Sequence, residues 1–107
     1  MTVYDRLNKN GISLTQIDIL TLVKRYNIKE ISIFGSSIRD DFYENSDIDL
    51  LIEFNDSKSI SLFDIIDIQE YFGNLTNRAI DIVEPAGLIN PYRREAILKS
   101  KEPLYVA

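Results

Sequence analysis

The run Asp47-Ile48-Asp49-Leu50-Leu51-Ile52-Glu53-Phe54 constrains this chain more than any other stretch. Side chains alternate along a β-strand, so Asp47 and Asp49 project from one face. Ile48, Leu50, Ile52 and Phe54 take the opposite face and are available to a core. Aspartate is depleted in strands and costly to bury unpaired. Two on one face of an otherwise apolar strand call for a compensating cation, and a pair of divalent metals is the simplest candidate.

Upstream, Ile31-Ser32-Ile33-Phe34 reads as a short strand broken by Gly35. Glycine lets the backbone approach a ligand closely and adopt angles closed to other residues. Ser36 and Ser37 then open a short helix reaching about Asp40. Free backbone N–H groups at a helix start attract phosphate, and a serine hydroxyl adds a donor. Alone, this is an ordinary Gly-Ser turn; ten residues ahead of Asp-x-Asp it reads as a phosphate cradle. Arg39, one helical turn beyond Ser36, is placed to reach a triphosphate or a nearby carboxylate. Asp40, Asp41 and Glu44 read as a solvated acidic loop, and Ser46 as a cap into the following strand. No GxGxxG or GxxxxGK[ST] is present, which argues against a dinucleotide fold or a P-loop. Further on, residues 77–83 read as a third strand in which Asp81 shares a face with Ala79 and Val83, while Ile80 and Ile82 point the other way.

Gly35-Ser36, then ten residues, then Asp47-x-Asp49, between two predicted strands and followed by Asp81 on a later one, resembles the signature of the DNA polymerase beta-type nucleotidyltransferase superfamily. In so short a chain it is most similar to the minimal nucleotidyltransferases, the MNT-type antitoxins of HEPN–MNT toxin–antitoxin pairs. The resemblance runs from about Ile31 to Val83 and more weakly to Tyr105. The family usually carries glycine after the arginine, where this chain has Asp40. The resemblance implies an α/β fold with a small mixed β-sheet flanked by helices. It implies a site in which Asp47, Asp49 and Asp81 bind two Mg2+ ions and act in catalysis, with Gly35, Ser36 and Arg39 holding the nucleotide. It further implies transfer of AMP from ATP to a tyrosine hydroxyl of a partner HEPN ribonuclease toxin. Two alternatives stay open: an antitoxin that inhibits by binding alone, and transfer to a small molecule with a companion chain shaping the pocket.

Composition agrees with these expectations. The 107 residues suit one domain spanning 1–107, with room for one core. No window approaches the roughly 20 apolar residues of a membrane span. The amino terminus has no apolar signal core, so a cytoplasmic location without a membrane partner is expected. Cysteine and histidine are both absent. Disulfides, thiolate metal sites, the usual zinc sites and a histidine general base are thereby excluded. A net charge of −5 argues against gripping nucleic acid through its phosphates, and is otherwise an aid to solubility.

The remaining elements follow from caps and periodicity. Residues 1–12 are weakly patterned. Ser13 with Gln16 fits a capping box for a helix to about Tyr26, with Leu14, Ile17, Leu20 and Val23 as its apolar stripe and Asn27 ending it. Ser61 with Asp64 resembles a second capping box, leading a helix whose stripe is Leu62, Ile65, Ile66, Gln69 and Phe72 and whose end is Gly73. Asp64, Asp67 and Glu70 take its solvent side. Asn90 caps a third helix from Pro91 to about Lys101. Leu104 to Val106 is then expected to extend along a sheet edge. Tyr92, Arg93, Arg94 and Tyr105 read as surface or packing residues available to a protein interface.

Overall fold

Strong β-formers at Ile28–Phe34 and Ile48–Phe54 build the two central strands, β1 and β2, which pair antiparallel from Ile28 opposite Phe54 to Phe34 opposite Asp49. The computed structural model describes residues 2–35 and 47–107. Strand β3 (Ile80–Val83) runs parallel to β2, and β4 (Glu102–Val106) runs antiparallel to β1, giving one mixed sheet in the order β3-β2-β1-β4. Pro103 lies on the β4 edge strand, the place in a sheet where a residue without an N–H is tolerated. Among the described residues the α-helices are α1 (Val3–Lys9), α2 (Gln16–Tyr26), α3 (Leu62–Thr76) and α4 (Pro91–Ser100). The expected small mixed α/β sheet flanked by helices is what forms.

Each face of the sheet has its own core. Ile31, Ile33, Ile48, Leu50, Ile52 and Phe54 join Leu7, Ile12, Ile19, Leu22, Ile68 and Phe72 in the main one. The other face carries a smaller cluster, in which Phe34, Leu51, Leu88 and Ile97 are buried and Val83 packs against them. Alternation along β2 therefore works on both sides, with Leu51 falling between Asp49 and Glu53 on the face covered by α4.

Three helices begin with the same reciprocal cap. Thr2 with Asp5, Thr15 with Asp18 and Ser61 with Asp64 each pair a hydroxyl and a carboxylate with the other residue's backbone N–H. The Ser61 cap is as expected, but the cap of α2 is Thr15, two residues beyond the expected Ser13. Leu14 and Ile17 to Val23 offer two interleaved apolar stripes, and spacing alone does not choose between them. Leu14, just before the cap, and Ile19, four residues beyond it, are both buried, which anchors the start of α2 as a hydrophobic staple. The core face is thus Ile19 and Leu22, with Val23 and Tyr26 packed beside them, while Ile17 is 75% exposed. Helix α3 likewise turns its expected stripe partly outward. Leu62 is 73% exposed, and Ile68, Phe72 and Thr76 are the buried residues. It continues past Gly73 to Asn77, which adopts the left-handed conformation (φ 56°) and donates its N–H to the Gly73 carbonyl at 2.8 Å.

Helix α1 has no counterpart in the sequence reading, because one buried residue, Leu7, gives a single short helix no visible period. It fastens β4 instead. The Tyr4 hydroxyl donates to the Leu104 carbonyl at 3.1 Å, and Arg6 pairs with Glu102 at 2.5 Å. Burial raises the Tyr4 phenol above its ordinary pKa. On the α4 side, buried Ser32 donates to Glu30 at 2.6 Å and Lys101 does so at 2.5 Å, tying β1 to the end of α4. Among the described residues no helix is long and apolar enough to cross a membrane.

Candidate active site

Parallel pairing sets Asp49 directly opposite Asp81, within the register Ile48–Ile80, Asp49–Asp81, Leu50–Ile82, Leu51–Val83. Opposed residues on neighbouring strands project from the same face, and the strands lie about 4.8 Å apart. Ile48, Leu50, Ile80 and Ile82 all belong to the main core, so the two aspartates are left to the α4 side. Asp49 is half-buried; Asp81, on the edge strand, is exposed. Asp47 immediately precedes β2, two residues before Asp49, and is exposed. Among the described residues no three carboxylates are drawn together closely enough to hold a metal ion as they stand.

Gly35 closes the site from the β1 side. Its neighbour Phe34 pairs with Asp49, and Gly35 itself takes φ +80°, a conformation that favours glycine. A Cβ added at Gly35 would collide with the Asp49 carboxylate Oδ2, and would lie 3.4 Å from its Cγ. The carboxylate thus occupies a niche that any side chain at position 35 would fill. Ser36 and Arg39, the other expected nucleotide-binding residues, lie outside the described residues, as do Asp40, Asp41, Glu44 and Ser46.

The donor set suits a hard cation. Carboxylates at opposed positions on adjacent strands, one of them seated in a close-fitting niche, match the preference of Mg2+ for oxygen ligands completed by water and phosphate. Asp49 and Asp81 would hold such an ion from adjacent strands, with Asp47 reaching it from the exposed end of β2. The sequence reading missed the Ser32–Glu30–Lys101 cluster on the same sheet face. Ser32, a polar residue inside an apolar strand, is the signal that could have found it. Burial pushes the Glu30 carboxyl up, but hydrogen bonds from Lys101 and Ser32 outweigh it and hold the group below its ordinary value.

The family model described as a nucleotidyltransferase domain matches residues 17–104. A candidate protein adenylyltransferase of Methanocaldococcus jannaschii is 36% identical over 76 residues, 71% of this chain and 76% of that one. The protein adenylyltransferase MntA of Thermococcus cleftensis is 34% identical over 67 residues, 63% of this chain and 66% of its own. Among solved structures, one described as a minimal nucleotidyltransferase superposes with a TM-score of 0.69 at 27% identity, covering 96% of both chains. A toxin–antitoxin structure with AMP-PNP superposes with the same TM-score of 0.69 at 17% identity, over 88% of this chain and 75% of that one, which speaks for the fold.

Proposed function

Because the chain belongs to the nucleotidyltransferase domain family, we propose that it transfers AMP from ATP to a hydroxyl of a partner toxin protein and thereby neutralises it. The observation that carries this reading is the register of Asp49 against Asp81 beside the Gly35 niche. The acceptor is a tyrosine on a HEPN-type ribonuclease. The likeness to protein adenylyltransferases supports a protein acceptor, and the toxin–antitoxin structures share the fold.

In the reaction the acceptor oxygen forms a bond to the α-phosphorus, the bond from that phosphorus to the bridging oxygen breaks, and pyrophosphate leaves. The acceptor's proton passes to Asp81, directly or through water. Asp47, Asp49 and Asp81 would hold two Mg2+ ions, which supply stabilisation of charge on the attacking and leaving oxygens. Gly35 and Ser36 would cradle the β- and γ-phosphates, assisted by Arg39. The acidic face of the site suits a substrate that arrives with its metal, because the bare triphosphate is repelled.

Incubation with ATP labelled on the α-phosphate, Mg2+ and the protein encoded by the neighbouring gene tests the proposal. Label is expected on the neighbour and is expected to vanish with Asp47→Ala. A toxin neutralised by an unlabelled complex would instead establish inhibition by occupancy. Label on a small molecule would move the acceptor out of the protein class.

A further inference from the structure

Gly35 is a residue whose backbone conformation and surroundings make two separate demands. Its φ of +80° disfavours any side chain on conformational grounds. Independently, the space where a Cβ would sit is taken by the Asp49 carboxylate, whose Oδ2 would be struck and whose Cγ and Cβ lie 3.4 and 3.7 Å away. The second demand does not follow from the first, since a left-handed turn at the end of β1 could equally have faced open space. Gly11 illustrates the contrast: at φ +79° the nearest atom to the corresponding point is the Arg78 Nη2, 3.9 Å away.

We infer that Gly35 is a positioning residue for Asp49: the missing side chain admits the Asp49 carboxylate to a niche against the end of β1 and sets the direction in which it presents oxygen to a cation. This role rests on the proposed metal-dependent reading and is additional to any phosphate cradling. Three features limit the alternatives open to Asp49. Its Cα is fixed in register with Phe34 on one side and Asp81 on the other. Its side chain has only two rotatable bonds, so a Cβ at position 35 must turn the carboxylate out of the niche. The 3.7 Å from the built Cβ to the Asp49 Cβ is ordinary contact, so the collision belongs to the carboxylate and not to the strand backbone. A carboxylate turned out of the niche presents its oxygens in another direction from the same Cα.

Nucleotide-free Mn2+ binding, followed by electron paramagnetic resonance, tests the assignment with wild type, Gly35→Ala and Asp49→Ala. The expected result is a tenfold or greater weakening of Mn2+ affinity in Gly35→Ala, approaching that of Asp49→Ala. Wild-type affinity in Gly35→Ala overturns the inference and leaves the glycine a purely conformational or phosphate-binding residue. If Gly35→Ala does not fold, the double variant Gly35→Ala/Asp49→Ala decides. Recovery of a folded protein identifies the carboxylate collision as the cause, and continued failure assigns the defect to backbone strain and refutes the inference. Wild type that binds no Mn2+ with or without ATP would instead sink the metal-dependent reading on which the inference stands.

Discussion

Asp49 and Asp81 occupy directly opposed positions on adjacent strands, where like charges are destabilising. With Asp81 as the proposed proton acceptor, Asp81→Asn is expected to lower adenylyl transfer by about 100-fold or more. In the metal-free protein the same change is expected to be neutral or stabilising, by roughly 0.2–1 kcal/mol from relief of the cross-strand repulsion. Activity assays beside thermal melts in the presence of a chelator measure both. A loss of stability together with activity would make Asp81 a structural residue. Glu30 behaves oppositely, because its folded carboxyl lies below its ordinary value of 4.5. Such a group adds stability above its ordinary value, and that stability is lost as pH falls through the lowered folded value. The margin by which wild type exceeds Glu30→Gln in thermal melts should hold at neutral pH and shrink below about pH 4.5. A margin independent of pH would show that the Glu30–Lys101–Ser32 cluster contributes through packing alone.

At the scale of elements, what the sequence makes legible depends on how many independent signals agree. Strand β2 is unambiguous, since alternation, β-propensity and the aspartate within it all give one register, and its core face is the expected one. The Ser61 and Asn90 caps are equally plain. The stripes of α2 and α3 are not, because both helices carry more apolar residues than their buried faces need, and period alone cannot tell the inward set from the outward one. Tertiary packing decides, through the Leu14–Ile19 staple in α2 and through Ile68 and Phe72 in α3. Ile19→Ala should accordingly cost about 2–5 kcal/mol, as a cavity-forming change in a packed core. Ile17→Ala, three-quarters exposed, should stay within about 0.5 kcal/mol. Chemical denaturation of the two variants distinguishes these faces, and equal costs would contradict the observed rotation of α2. The site itself was half legible: the face shared by Asp47 and Asp49 follows from alternation, whereas the pairing of Asp49 with Asp81 and the niche at Gly35 depend on strand neighbours far apart in sequence.

Taken whole, the molecule packs its main core on one face of the sheet and leaves the proposed site to the other. The main core lies under α1, α2 and α3, and the smaller Phe34–Leu51–Leu88–Ile97 cluster keeps α4 to one part of the opposite face. The aspartates stand at the start of β2 and β3, beside the end of β1, on that second face. A net charge of −5 makes the chain a poor ligand for nucleic acid phosphates and is compatible with a substrate delivered as a metal complex. On the proposed reading, these carboxylates drive transfer of AMP to a protein. Intact-mass spectrometry of the toxin partner, after incubation with ATP, Mg2+ and this protein, tests it most directly. The partner is expected to gain the mass of one or more AMP groups with wild type and none with Asp49→Asn; an unchanged partner mass with wild type, or an equal gain with Asp49→Asn, would rule out transfer driven by these carboxylates.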